Sequence, residues 1–469
     1  MSTIRTRSRR LSRFGCVVSL ICLLAFSTGL PAAEPGKPVT ERQAFLVGWA
    51  GVDITPPRPV NLVGQHGKRI SQGVDDPVTA TVLALETKGE DGQPVEQALL
   101  ISMDTCGVHM VVQDRVKEMV KSKLADFDAD KLFLNATHTH TAPMQIDGFV
   151  PAYEITAQEQ AQGVMTGSEY GAFLCEKLTD AAVRAWNGRQ PGGISWALGH
   201  AVVGHNRRAV YLDGHAQMYG GTNVPEFDRI EGYEDHSLPL LFFWDAQQQL
   251  TGIMVNVACP SQETESQSKI SADFWHEVRV ELRKRYTPDL FVLPQCSAAG
   301  DISPHLLWQQ RAEQIMLQRK GVTRRQEIAL RIADGIDRVF PFAKTDVQTA
   351  PVFRHTVARV NLPLQDPPKK PFYETDPVTP IEFHVLRVGD VALATNPFEL
   401  FLDYGLRIKA RSPAALTLLV QLSCRSCGYL PTAPAVRGGS YSADHYIVGP
   451  DGGQALVEET LQRINAMWE

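Results

Sequence analysis

The segment "KLFLNATHTHTAP" (residues 131–143) places two histidines two positions apart, after a short apolar run and before a proline. The large apolar residues of "KLFLN" predict a β-strand, and the side chains of a strand alternate between its two faces. His138 and His140 are therefore predicted to point the same way. They lie where the strand ends, the edge at which open α/β sheets usually bind ligands. The pair indicates a metal or catalytic site, while two ordinary polar residues in a turn are the simpler interpretation.

Predicted strands and helices alternate along the rest of the chain. Helical spacing of apolar residues marks 111–127, 168–187 and 272–286, with Ser168 as the expected cap of the second helix. Apolar runs predict strands over segments that include 79–87, 97–108, 194–203, 238–246 and 250–259. This order predicts an α/β fold of the mixed α+β kind, with mixed β-sheets flanked by helices.

The N-terminus has the pattern of an export signal. Five arginines and no acidic residue precede the apolar run "CVVSLICLLAFSTGL", which is followed by "PAA". We expect a signal peptide over 1–33, a polar linker over 34–45 and a single catalytic domain over 46–469. Removal of the five arginines takes the formal charge from −6 to −11. An exported acidic chain disfavours nucleic acid as a partner, and no later stretch is apolar enough to predict a membrane helix.

Six cysteines follow the predicted signal peptide, too few in a chain of 469 residues for a disulfide scaffold. Two of them form "CRSC" (424–427), for which a local disulfide or two free thiols is expected. A structural zinc site there is disfavoured because no second pair accompanies the first.

Four stretches join an apolar run to a loop with reactive residue types: "NATHTHTAP" (135–143), "VNVACPSQ" (255–262), "QCSAAGDISPH" (295–305), and "NPFELFL" (396–402) with "CGYLPT" (427–432). In their order and in their residues, these stretches resemble those of the neutral, non-lysosomal ceramidases. The members of this family are zinc-dependent amidases that cleave the N-acyl bond of sphingolipids. The resemblance extends to "VGWAGVDITPP" (47–57) and "GHNRR" (204–208), and so to nearly all of 46–469.

The resemblance implies a set of site residues. His138, Glu399 and Tyr429 correspond to zinc ligands, and His140 to a neighbour that contacts substrate or the metal-bound water. Ser303 corresponds to the nucleophile or to a partner of the attacking oxygen. Arg207 corresponds to a residue that positions substrate, and Asp301, in the same turn as Ser303, is the second candidate for substrate binding. Taken singly, Ser303 and Asp301 are ordinary turn residues, Glu399 suits the first turn of a helix, and Tyr429 suits a buried core.

One position departs from the family pattern. The second zinc-binding histidine of the family falls in "VNVACPSQ", where Cys259 or Pro260 stands, and no histidine occurs between residues 237 and 275. Cys259, His276 and His205 are the candidates for the missing ligand, and a site that has lost its metal is the alternative.

The resemblance implies an exported, zinc-dependent hydrolase of ceramide-like lipids, with one zinc ion per chain. The expected partner is a small lipid or another N-acyl compound. There are two alternatives: a hydrolase of other amides or esters, and a non-catalytic binding protein that kept the substrate cleft and lost the metal.

Overall fold

The structure, a computed structural model, describes residues 44–367, 369, 376 and 378–469. The predicted signal peptide and residues 34–43 of the predicted linker lie outside the described residues. The first described strand begins at Ala44, within the last two residues of the predicted linker. The described residues from 44 onward belong to one compact unit.

Twenty-one strands are described, numbered in chain order: β1 (Ala44–Asp53), β2 (Asn61–Leu62), β3 (Arg69–Ile70), β4 (Thr79–Lys88), β5 (Pro94–Met103), β6 (Leu132–Ala136), β7 (Gln190–His200), β8 (His205–Asn206), β9 (Arg208–Tyr211), β10 (Ala216–Met218), β11 (Phe227–Ile230), β12 (Ser237–Asp245), β13 (Leu250–Val257), β14 (Phe291–Cys296), β15 (Ile302–Ser303), β16 (Phe353–Val360), β17 (Ile381–Val388), β18 (Val391–Thr395), β19 (Glu399–Leu400), β20 (Leu416–Val420) and β21 (Tyr429–Leu430).

The α-helices of the described residues are α1 (Met110–Lys123), α2 (Ala157–Ala161), α3 (Gly167–Asn187), α4 (Phe274–Arg285), α5 (Gln310–Lys320), α6 (Arg324–Ala343), α7 (Leu402–Arg411), α8 (Ala433–Gly438), α9 (Tyr441–Asp444) and α10 (Pro450–Trp468). Short 3-10 helices cover Ala129–Lys131 and Pro151–Tyr153.

The same succession of elements occurs three times. In each case three antiparallel strands are followed by a helix and a fourth strand, which pairs in parallel with the third. Unit I is β1-β4-β5-α1-β6, unit II is β7-β12-β13-α4-β14, and unit III is β16-β17-β18-α7-β20. Units I and II join through β1 and β7 into an eight-stranded sheet, and unit III forms a four-stranded sheet. The sequence shows no repeat that would predict this.

The two sheets pack face to face between two layers of helices. Along β4, Val82 and Ala84 belong to the core shared with α1 and α3, whereas Leu83 and Leu85 face the second sheet. This alternation follows from the period-two geometry of a strand with both faces buried. Helices α4 and α6 cover the other half of the large sheet, and α7 and α10 cover the four-stranded sheet. Mixed sheets flanked by helices confirm the predicted fold class.

The three parallel strand pairs bring their carboxyl ends together. The amide of Ala136 donates to Leu422 O at 3.2 Å, and that of Gln421 donates to Cys296 O at 3.0 Å. The loops after β6, β14 and β20 are therefore held side by side, and the reactive stretches of the sequence meet there.

Element boundaries differ from the predictions at two informative places. Helix α3 is capped by Thr166 rather than Ser168, because the Thr166 side chain accepts from the Glu169 amide while Glu169 bonds back to the cap. Glu399, which suited a helical first turn, lies instead in strand β19, and α7 begins at Leu402.

Within the described part of the chain, no helix combines the length and apolarity needed to cross a membrane. Cys424 forms no disulfide, so it is not bridged to Cys427 within the "CRSC" pair.

Candidate active site

A cavity of about 320 Å³ opens beside the carboxyl ends of the parallel strands. His138 and His140 reach it from the loop after β6, Glu399 and Tyr429 from β19 and β21, and Arg207 from the link between β8 and β9. Five of the residues singled out in the sequence therefore line one cavity, although the chain separates them by up to about 290 positions.

His138 lies beyond the end of β6 with a left-handed backbone, φ +65°. Its ring Nδ1 is 2.5 Å from Cys106 O, and because a carbonyl only accepts, Nδ1 is the protonated nitrogen. Nε2 then faces Glu399 Oε2 at 3.4 Å. Burial alone would lower the pKa of His138, but Cys106 and Glu399 raise it well above its ordinary value.

His140 packs with its ring edge-on to His138, with the two Nε2 atoms 3.2 Å apart. Its Nδ1 lies 3.3 Å from Glu265 Oε2, without ideal hydrogen-bond geometry. Burial lowers the pKa of His140 to about 4, so its imidazole is neutral near pH 7. The rings are neighbours as predicted, but strand alternation is not the cause, because β6 ends at Ala136 and His138 is left-handed.

Glu399 and Tyr429 are direct partners in the short parallel ladder of β19 and β21. Both side chains are buried. Burial alone would raise the pKa of Glu399, but His138 and Arg207 outweigh it and lower the pKa to about 2. Burial and the charge of Glu399 raise the pKa of the Tyr429 phenol well above its ordinary value. The ladder thus fixes one carboxylate and one phenol at the same wall.

Arg207 is buried and spans the floor of the cavity. Its Nη2 donates to Gly300 O at 2.9 Å and to the Tyr429 hydroxyl at 3.3 Å, and Nη1 donates to the Tyr219 hydroxyl at 3.4 Å. Its Nε has no hydrogen-bond partner. A fixed cation with an unused donor is suited to a carbonyl oxygen or another electron-rich group in the cavity.

Two solved structures are similar to this chain. The neutral ceramidase from Pseudomonas aeruginosa aligns with a TM-score of 0.71 and 15% sequence identity, over 91% of this chain and 74% of that one. A ceramidase complexed with C2 aligns with a TM-score of 0.69 and 14% identity, over 91% of this chain and 75% of that one. The chain has a ceramidase-like fold. No protein-family model and no curated protein matches its sequence.

The donors in the cavity fit a zinc ion. Two ligands at about 2.0–2.1 Å from a tetrahedral zinc lie about 3.3 Å from each other. The separations of His138 Nε2 from His140 Nε2 and from Glu399 Oε2 are 3.2 and 3.4 Å. The ring nitrogen of His138 that is turned away donates to a backbone carbonyl, as metal-binding histidines usually do.

Ser303 and Asp301 do not line the cavity. Ser303 is fully buried in β15, where its hydroxyl accepts from the His305 amide and contacts the Tyr219 phenol. Asp301 accepts from Asn206 Nδ2 and from the Leu402 amide, both at 2.8 Å. These bonds tie the turn to the start of α7, and burial raises the pKa of Asp301 to about 6. Asp301 therefore has the contacts of a turn residue.

None of the three candidates for the missing ligand lines this cavity. Cys259 is buried in the core beside α4, its Sγ 3.4 Å from Pro260 O, and burial raises the pKa of this thiol well above its ordinary value. His276 lies in the first turn of α4, with Nδ1 4.0 Å from Asp76 Oδ1. His205 Nδ1 lies 3.2 Å from Glu234 and its ring borders a different cavity.

The structure adds residues that sequence reasoning missed. Cys106, after β5, lies 3.7 Å from His138 Nδ1 and forms with His138 and His140 a group able to hold a metal. The sequence could have predicted that Cys106 lies near His138, because β5 and β6 are parallel neighbours and their carboxyl ends lie side by side. Glu265 and Tyr219 also line the cavity, from loops that no pattern marked.

A second group of this kind, Glu382, His384 and Cys424, is buried away from the cavity. Glu382 already binds Lys117 Nζ at 2.6 Å and Arg359 at 2.7 Å, and His384 bonds to His355 at 2.9 Å. Because cations already satisfy its only carboxylate, this group is a structural network rather than a metal site.

Proposed function

We propose that the protein is an exported zinc-dependent amidohydrolase that cleaves the N-acyl bond of ceramide-like lipids. One observation carries the proposal: in a ceramidase-like fold, His138 Nε2 lies 3.2 Å from His140 Nε2 and 3.4 Å from Glu399 Oε2, in a cavity that a buried arginine also lines. Zinc supplies polarisation of a carbonyl and lowers the pKa of water toward about 7. His138, Glu399 and Tyr429 are the residues that would hold it.

An apolar wall supports an acyl substrate. Val63, Met144, Phe149, Val150 and Leu422 line the cavity together with the polar groups. A cavity of about 320 Å³ lies at the lower end of the range for small-molecule sites and would enclose part of a long lipid rather than all of it. The scissile amide would then lie between this wall and Arg207.

The residues of the chain have separable tasks. The Arg207 guanidinium would hold the acyl oxygen, where a fixed positive charge stabilises the negative charge that develops during attack. Ser303, the nucleophile that the resemblance implies, lies outside the cavity lining and contacts the Tyr219 phenol, which does line the cavity. Gln262 donates to that phenol at 2.6 Å and holds it in place. Tyr219 would therefore orient the attacking group against the amide.

The proposal is tested by zinc content and turnover. The protein is purified, dialysed against metal-free buffer, analysed for zinc and assayed with a ceramide that carries a fluorescent acyl chain. We expect one zinc per chain, loss of hydrolysis with chelator and recovery with added zinc. His138→Gln should abolish both zinc binding and turnover, whereas the matched control His276→Gln should leave them unchanged.

Three other results would contradict the proposal in different ways. Zinc near zero with no turnover, but tight retention of the lipid, would indicate a binding protein. Turnover of an ester but not of the matching amide would indicate another hydrolase. Turnover that is insensitive to chelator would exclude the zinc mechanism.

A further inference from the structure

The two imidazoles of the cavity face each other through the same ring atom. His138 Nδ1 is bound to Cys106 O, and His140 Nδ1 faces the Glu265 carboxylate. Both of these groups accept hydrogen bonds, so each histidine turns Nδ1 toward its acceptor and Nε2 toward the other ring. The two Nε2 atoms lie 3.2 Å apart, and Glu399 Oε2 lies 3.4 Å from the Nε2 of His138.

Two neutral imidazole nitrogens at this distance, with a carboxylate oxygen beside one of them, repel each other unless a positive centre lies among them. Either a proton on one imidazole or a metal ion supplies it. The spacings are those of ligands that share a tetrahedral zinc, about 3.3 Å. We propose that His140 is itself a ligand of the metal, in place of the histidine missing after β13, and that Glu265 is the positioning residue that holds its ring. This inference rests on the metal of the proposed function.

The segment after β13, which lacks the family's histidine, instead contains the residue that positions His140. Glu265 lies six residues after Cys259, on the loop that follows β13. A carboxylate on the outer nitrogen of a metal-binding histidine fixes its tautomer and makes it a stronger ligand. The loop that carries a ligand in the resembled family would here carry the partner of a ligand.

Arg69 connects this loop to the backbone of His140 through hydrogen bonds. Its Nη1 donates to the backbone oxygens of Glu265 and Gln267 at 2.7 and 2.6 Å. Its Nη2 donates to the backbone oxygens of Val63 and His140 at 2.9 and 2.6 Å. A single guanidinium thus binds the Glu265 loop and the backbone of His140, which keeps the carboxylate beside the imidazole.

Zinc and cobalt affinity of the whole protein tests the inference without an activity assay. His140→Gln and His138→Gln should each weaken zinc binding at least about 100-fold, and the visible spectrum of the cobalt-loaded protein should change in both. Glu265→Gln keeps an acceptor and should weaken binding about 10-fold, whereas Glu265→Ala should weaken it toward 100-fold. His276→Gln is the matched control, and circular dichroism with thermal unfolding verifies folding.

Two results would overturn the inference. If His140→Gln folds and binds zinc within threefold of the unsubstituted protein while His138→Gln does not, His140 is no ligand and the proposed function stands. If the unsubstituted protein binds neither metal, the positive centre is a proton, and the zinc-dependent function fails together with the inference.

Discussion

Gly64 lies against the ring of His140 so closely that a Cβ atom on residue 64 would come within 2.4 Å of His140 Cγ. The backbone of Gly64 is also left-handed, with φ +98°. Two independent constraints therefore require glycine here, and both act on the position of one imidazole.

Gly64→Ala should displace His140. We expect a loss of stability of at least about 1 kcal/mol from the left-handed backbone alone, and weaker zinc binding because the ring must move. Thermal unfolding and a zinc titration measure the two effects. Gly67→Ala is the matched control, since a Cβ there has nothing within 4 Å. Equal zinc affinity in the two variants would show that the ring does not depend on this contact.

Arg207→Lys should lower the rate of amide cleavage about 100-fold, because lysine keeps the charge but cannot reproduce the fork that binds Gly300 O and Tyr429 together. Steady-state kinetics on the N-acyl substrate measure it. Arg184→Lys alters an exposed arginine that also donates to a backbone oxygen and should leave the rate unchanged. A rate within threefold for Arg207→Lys would contradict the role.

Ser303→Ala should slow hydrolysis and leave zinc content at the level of the unsubstituted protein, since Ser303 does not line the cavity and acts through the Tyr219 phenol that it contacts. Tyr219→Phe removes the hydroxyl that contacts Ser303 and should slow hydrolysis by a smaller factor. A rate equal to that of the unsubstituted protein in Ser303→Ala would contradict a role for this serine through Tyr219.

Cys106→Ser should change zinc affinity less than threefold. The sulfur lies beside His138 Nδ1, which is already bound to the Cys106 carbonyl, whereas Nε2 is the ring nitrogen that faces His140 and Glu399. The cobalt-loaded protein should accordingly show no thiolate-to-metal charge-transfer band in the near ultraviolet. Appearance of that band would make Cys106 a ligand.

The metal-free protein should lose stability as the pH falls from about 6.5 toward 4. The pKa of His140 is about 4 in the folded chain, below the ordinary value of 6.5, so the unfolded chain binds the proton first. The loss should approach about 3 kcal/mol, measured by denaturant unfolding at each pH. His140→Gln should flatten the profile in this window. An unchanged profile would show that His140 is not held neutral.

Local patterns in the sequence predict individual strands and helices better than they predict which of these elements contact each other. The "KLFLN" strand and helix α3 form where periodicity places them, within a few residues. The pairing of Glu399 with Tyr429 and the approach of Glu265 to His140 depend on contacts between distant segments, which no local pattern encodes. The absence of a histidine between residues 237 and 275 was visible, but the compensation through Glu265 required the geometry.

The threefold succession of strands and helix has a consequence for folding. Unit I supplies the histidines, the chain within unit II supplies Arg207, and the chain after unit III's third strand supplies Glu399. No single unit contains all of these site residues. Contacts between segments that are far apart in the sequence must therefore form before the site is complete. Metal affinity and turnover should therefore emerge late in refolding, after most secondary structure has formed. A protease acting on chains that are still assembling would meet only inactive intermediates.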